Sequence, residues 1–167
     1  LGTIQHVKAQ KSLDSLKQLS SPSAKVIRDG SKIEVLSKDI VPGDIVILEA
    51  GDMVVSYRSL GMMLENLTKE DRTLYIIADN EDSVEKLQHY CKKMQPELRV
   101  VGSYSCEMDM EDAAVVNEIN SHTPDMILLN LPVGVQESWI MEHSALLNAR
   151  LCIAIGGVAE LILAMQR

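Results

Sequence analysis

Four short, mostly apolar runs, Leu74–Ala78, Leu98–Val101, Met126–Leu129 and Leu151–Ile155, are separated by segments of helical period, and this alternation restricts the fold more than any other feature. Runs without regular polar alternation suit strands buried on both faces, and strands joined through helices pair parallel by right-handed crossovers. The predicted unit is a Rossmann-like parallel sheet of about four strands with helices on both faces. Its strands all end on one edge. Ala78–Asn80, Gly102–Ser105, Asn130–Pro132 and the pair Gly156 and Gly157 are expected to border one crevice there, the usual ligand position in such sheets.

The intervening helices are legible from their stripes and stops. Leu60–Leu67 reads as a short apolar helix. Residues 82–94 follow the cap-rich turn Asp79–Ser83, carry Val84, Leu87 and Cys91 on one face, and stop before Pro96. The acidic run Glu107–Asp112 is expected to start the next helix, where carboxylates favour the dipole, and Val115, Val116 and Ile119 continue it. A helix from Gln136 to Leu147 carries Trp139 and Ile140, and Gly156 and Gly157 open a last one reaching Met165.

Ahead of this α/β alternation the chemistry differs. Lys25–Arg28 and Lys32–Leu36 flank Asp29-Gly30-Ser31, and Asp-Gly between alternating residues is a strong hairpin signal. A third run, Asp44–Glu49, follows the Pro42-Gly43 turn, and residues 3–19 place Ile4, Val7, Leu13, Leu16 and Leu19 on one helical stripe. The fold class is therefore α/β: an N-terminal helix and a small hairpin-containing β-unit, then the Rossmann-like sheet. Residues 1–53 hold seven basic and seven acidic side chains, so the whole net charge of −8 lies in 54–167. That shift marks the expected domain boundary near Met53, with 1–53 and 54–167 as separate cores.

Composition narrows the function classes. A net charge of −8 opposes a phosphate-backbone partner, and the absence of Phe leaves few stacking platforms, so nucleic acid is not expected. Cys91, Cys106 and Cys152 are odd in number and lack metal-ligand spacing, which points to a reducing, cytoplasmic setting. No apolar run of about 18 residues appears, so no membrane span is expected in this chain. The start at Leu1 suggests a piece of something longer, whose parent is free to be membrane-bound.

Two resemblances attach to these residues. The order of hairpin, Asp39-Ile40-Val41-Pro42-Gly43-Asp44, strand and Ala50-Gly51-Asp52 resembles the start of the actuator domain of P-type cation-transporting ATPases. The resemblance implies a Thr-Gly-Glu loop and an Asp-Lys-Thr-Gly phosphorylation motif further on. After Met53 the chain reads Val54-Val55-Ser56-Tyr57 instead, and neither motif occurs. Residues 57–163 resemble the carboxyl-terminal half of the WecG/TagA/CpsF glycosyltransferases, which move N-acetylmannosamine-type sugars from UDP to a lipid-linked acceptor. The likeness rests on Leu98–Gly102, Asn117–Asn120, Pro124–Leu129, Gln136–Ile140 and Ile153–Gly157. Val135 stands where that family has a basic residue, which removes a diphosphate partner. The family's amino-terminal half, with its proposed catalytic carboxylate, is not recognised.

The resemblance implies Gln136, Glu137, Gly156 and Gly157 as ligand-binding residues, and the strand-end edge adds Asn130; no catalytic or metal residue and no cofactor is expected. Gln136 and Glu137 could hydrogen-bond a sugar or uracil, or simply serve the first turn of a helix; the glycine pair could cradle a phosphate, or make a tight turn. Asp79, Glu81 and Asp82 read as a solvated helix start rather than a cation site, and His6, His89, His122 and His143 fall in different elements. The expected role is binding, of a UDP-sugar or another protein, by a composite or fragment polypeptide. The alternatives are a hexosyltransferase of the resembled type and a cytosolic fragment of a cation pump.

Overall fold

The computed structural model describes residues 23–29, 31–36, 39, 41, 44–47, 53–108, 110–149, 151–156 and 159–164. The helix expected over residues 3–19 and the second glycine of the pair, Gly157, lie outside them. The elements run β1 (Ser23–Arg28), β2 (Ser31–Leu36), β3 (Ile45–Ile47), α1 (Met53–Lys69), β4 (Thr73–Ala78), α2 (Glu81–Met94), β5 (Arg99–Ser105), α3 (Asp112–Ser121), β6 (Met126–Asn130), α4 (Val133–His143), β7 (Leu151–Ala154) and α5 (Ala159–Ala164).

Among the described residues, seven strands form one mixed sheet in the order β2-β1-β3-β7-β6-β4-β5. The four expected strands are parallel, and β3 adds a fifth by pairing parallel with β7, Val46 opposite Ile153. The hairpin then closes that side antiparallel, with Arg28 opposite Ser31 and Asp29 at φ 50°, the left-handed conformation that a two-residue turn needs. Arg28 locks the hairpin to the segment before β3. Its Nε and Nη2 each donate at 2.7 Å to Asp44, and Nη2 also donates to the Asp39 carbonyl. The buried Asp44 carboxylate further accepts from the Val41 amide at 2.9 Å.

The period-2 alternation of the strands divides the core between two helical layers. Leu74, Ile76 and Ala78 of β4 face the side covered by α1, α2 and α5, against Leu64, Leu87 and Ala159, while Tyr75 and Ile77 face α3 and α4, against Ile119 and Ile140. Each fully buried aliphatic side chain stabilises the fold by roughly 1.5–3 kcal/mol. Val26 and Val46 pack in the same layer as Leu60, Leu128 and Ile153, and Ile27, Ile45 and Ile47 join the opposite one. The reason is the pairing of β3 with β7, which leaves the hairpin no independent face to bury.

Several boundaries move, and β5 spans Arg99–Ser105, so Gly102–Ser105 belong to the strand and not to the turn after it. Helix α1 spans Met53–Lys69 rather than 60–67; nothing in Val54–Ser59 breaks a helix, and Leu60, Met63, Leu64 and Leu67 form its buried stripe. Helix α3 starts at Asp112, not Glu107, because Cys106–Met108 form a 3₁₀ turn that sends Glu107 back to α2, where its Oε2 accepts from the Glu81 amide at 3.2 Å. Helix α4 begins three residues early, at Val133, and ends at His143. Opposite the crevice, Asp125 clips the starts of β4 and β6 together: its carboxylate accepts from Arg72 Nη1, the Thr73 amide and the Thr73 hydroxyl at 2.9, 2.9 and 3.2 Å.

Candidate functional site at the carboxyl edge of the sheet

The parallel strands converge on one edge as expected. Ala78 lies opposite both Ser105 and Asn130, and Leu129 lies opposite Ala154. Beyond the strands the chain stays knitted: the Asp79 amide donates to the Asn130 carbonyl at 3.2 Å, and the Ile155 amide to the Leu129 carbonyl at 2.8 Å. Ala78 and Ala154 are both fully buried, so the edge takes its shape from the turns that follow the strands.

Helices α2, α3, α4 and α5 all start after parallel strands at this edge; neither α3 nor α4 has a side-chain cap hydrogen bond, and the first turns of α2 and α4 differ. That of α2 is filled, with Asn80 Oδ1 accepting from the Ser83 amide at 2.8 Å and Glu107 from that of Glu81. Asp79, Glu81 and Asp82 add negative charge there. That of α4 has Pro132 at its cap and no side-chain cap hydrogen bond. Pro132 cannot supply one, so its carbonyl takes the Val135 and Gln136 amides while the first turn stays available to an acceptor from outside. Negative charge is therefore favoured at the start of α4 and opposed at that of α2.

The predicted residues come together around α4, though in unequal roles. Asn130 ends β6 and is partly exposed. Gln136 is 1% exposed, and its Oε1 accepts from the Gly156 amide at 3.2 Å, so it latches the turn after β7 to α4. Gly156 is required there for space: a Cβ would stand 1.7 Å from the Leu131 carbonyl oxygen. Glu137 is partly exposed and pairs with Lys32 of β2 at 3.4 Å. Val135 is exposed in the first turn. Sequence patterning does not single out Lys32, because only the β3–β7 pairing carries the hairpin to α4; it brings a cation to the helix whose own sequence has Val135. Trp139 stacks on His143 with centroids 4.3 Å apart.

Cys106 is half-buried near this edge, where burial and then the Asp79 charge push its thiol pKa up, away from nucleophilic use at neutral pH. A separate groove of about 580 Å³ opens between α2 and α5, lined by Asp82, Glu85, His89, Tyr90 and Leu163 among others. It lies on the helical layer formed by α2 and α5.

The profile described as the Glycosyl transferase WecG/TagA/CpsF family matches residues 8–163. That match begins well before residue 57, inside the stretch whose motifs resemble an actuator domain. Curated relatives belong to the other resemblance. A calcium-transporting ATPase of Listeria monocytogenes is 54% identical over 54 residues, 32% of this chain and 6% of the relative. A sodium/potassium exporting P-type ATPase of Saccharomyces cerevisiae is 50% identical over 54 residues, 32% and 5%. A calcium-transporting ATPase of Lactococcus lactis is 42% identical over 74 residues, 44% and 8%. The chain thus spans less than a tenth of the length of these relatives. Among the described residues, no helix is long and apolar enough to cross a membrane.

Proposed function

Because the chain belongs to the WecG/TagA/CpsF glycosyltransferase family, we propose that it is a nucleotide-sugar-binding α/β protein whose crevice receives the diphosphate of a UDP-sugar at the amino terminus of α4. The observation that carries this reading is the uncapped first turn of α4 beside Asn130, set against the filled first turn of α2. Lys32 supports it by supplying positive charge at Glu137, in place of the basic residue that Val135 lacks. Gln136 and Gly156 hold the turn in shape, Glu137 holds Lys32, and Asn130 faces the ligand.

Binding without transfer is the favoured form, since the chain carries no recognised catalytic carboxylate for sugar transfer and no Thr-Gly-Glu or Asp-Lys-Thr-Gly motif for a pump cycle. Residues 1–53 and 54–167 are then two segments of different ancestry, an actuator-like β-unit and a Rossmann-like domain, folded into one sheet. The setting is cytoplasmic in this reading. Titrating the full chain with UDP and with a UDP-N-acetylhexosamine by calorimetry tests the proposal. Binding weakened about tenfold by Lys32→Ala, consistent with loss of a charge-assisted contact of about 1.5 kcal/mol, is the expected result. No heat at millimolar nucleotide would refute it, and turnover of the UDP-sugar with a lipid-linked acceptor would replace binding by catalysis.

A further inference from the structure

Away from the crevice, the packing of α3 and α4 on one face of the sheet brings the first residue of α3, Asp112, against the last two of α4, Glu142 and His143. One ligand atom from each of these three lies within 4.8 Å of the others. His143 Nε2 is 3.2 Å from Asp112 Oδ1. His143 is 3% exposed, whereas both carboxylates reach solvent.

The histidine is held as a ligand is held. Its Nδ1 lies 2.7 Å from the Trp139 carbonyl oxygen, which can only accept, so Nδ1 carries a hydrogen and Nε2 is left to face Asp112. The Trp139 ring, stacked at 4.3 Å and 23°, fixes the plane of the imidazole. A backbone carbonyl behind a histidine is the usual outer support of a metal-bound imidazole. Nε2 faces two carboxylates, an arrangement that a shared cation, a proton or a metal ion, holds together. The helices are also fixed to each other independently: Asn120 near the far end of α3 donates to the Leu146 carbonyl and accepts from the Asn148 amide, both at 2.9 Å.

We propose that Asp112, Glu142 and His143 form a binding site for a divalent transition-metal cation of the zinc type. One imidazole nitrogen with two carboxylate oxygens suits a borderline cation, and disfavours magnesium or calcium, which take all-oxygen sets. Neighbouring ligands around tetrahedral zinc stand about 3.3 Å apart, given bonds of about 2.0 Å. The Asp112–His143 separation already matches, and Glu142 has to close by rotating an exposed side chain. The solvent side leaves the remaining position to water. Sequence spacing could not show this, because Asp112 and His143 are 31 residues apart and meet only through helix packing.

The test uses the full chain stripped with a chelator and titrated with zinc by calorimetry, and with cobalt by visible absorption. The expected result is one equivalent bound, a tetrahedral cobalt spectrum, and no displacement by excess magnesium. Asp112→Asn and Glu142→Gln, both at exposed side chains and so compatible with folding, should each weaken zinc by at least about tenfold. No stoichiometric uptake by the parent chain, uptake undiminished in both variants, or displacement by magnesium would each overturn the proposal; the first would leave a second proton on His143 as the partner of Asp112.

Discussion

Replacing Gly156 with alanine tests the geometry of the crevice most directly. The added Cβ would lie 1.7 Å from the Leu131 carbonyl oxygen, 2.9 Å from its carbonyl carbon and 2.8 Å from Gln136 Oε1. Real Cβ contacts do not fall below 3.0 Å, so the turn after β7 and the start of the β6–α4 connection must separate by at least about 1.3 Å. Gln136 can swing aside, but the Leu131 carbonyl belongs to backbone held by the Ile155–Leu129 hydrogen bond and cannot move alone. Overpacking of this kind costs about 3 kcal/mol, and loss of the Gly156–Gln136 bond about 1 more. Urea denaturation with a slope near 2 kcal/mol per molar should then place the midpoint about 2 M lower. Gly134→Ala is the control, since a Cβ there meets nothing within 4 Å and helix α4 gains up to about 1 kcal/mol. Gln136→Ala breaks the same latch, so its effect and that of Gly156→Ala should fall short of additive. A Gly156→Ala midpoint equal to the parent's would refute the close approach of the two turns.

Asp125→Ala removes the acceptor shared by Arg72 and Thr73, and should lower stability by about 3 kcal/mol in the same assay, with Asp125→Asn recovering only part of it. Ile47→Ala and Ile77→Ala, one on each side of Met53, should each cost roughly 2–5 kcal/mol and shift one common transition, because both side chains pack in the same core layer; two separate transitions by circular dichroism would contradict the shared sheet. Burial pushes the Cys91 thiol up to about 12 from its ordinary 9.0, so above pH 9 the unfolded chain releases a proton that the folded chain keeps. Stability from this group is full below pH 9 and falls as pH rises from there; thermal melts from pH 8 to 11 should show the decline, and Cys91→Ala should flatten it. Burial raises the Tyr75 hydroxyl to about 12 as well, so some alkaline decline should persist in that variant.

Apolar patterning carried the fold furthest. The alternation that predicts β4 to β7 is a local property, since a strand buried on both faces needs a continuous apolar run wherever it sits; β4, β6 and β7 lie where those runs are, while the partly buried edge strand β5 continues past its run through Gly102–Ser105. The hairpin was equally legible, because Asp29 adopts the left-handed turn that Asp-Gly encodes. Helix starts were less so. The carboxylate of Glu107 satisfies an amide at the start of α2 rather than in its own segment, a choice made by packing distance and invisible to a rule that favours acidic residues at the nearest helix start.

By itself, the sequence determined the α/β class, the parallel strands that share one carboxyl edge, and the two family likenesses, because each depends on residues close together in the chain. Tertiary structure alone decided that β3 pairs with β7, and so that the hairpin extends the sheet instead of folding apart. The physical reason is that β3, with Ile45, Val46 and Ile47 all buried, needs cover on both faces, and only the helical layers of the larger sheet provide it. The same long-range packing set Lys32 against Glu137 and Asp112 against His143, contacts between residues 105 and 31 positions apart that no local pattern announces.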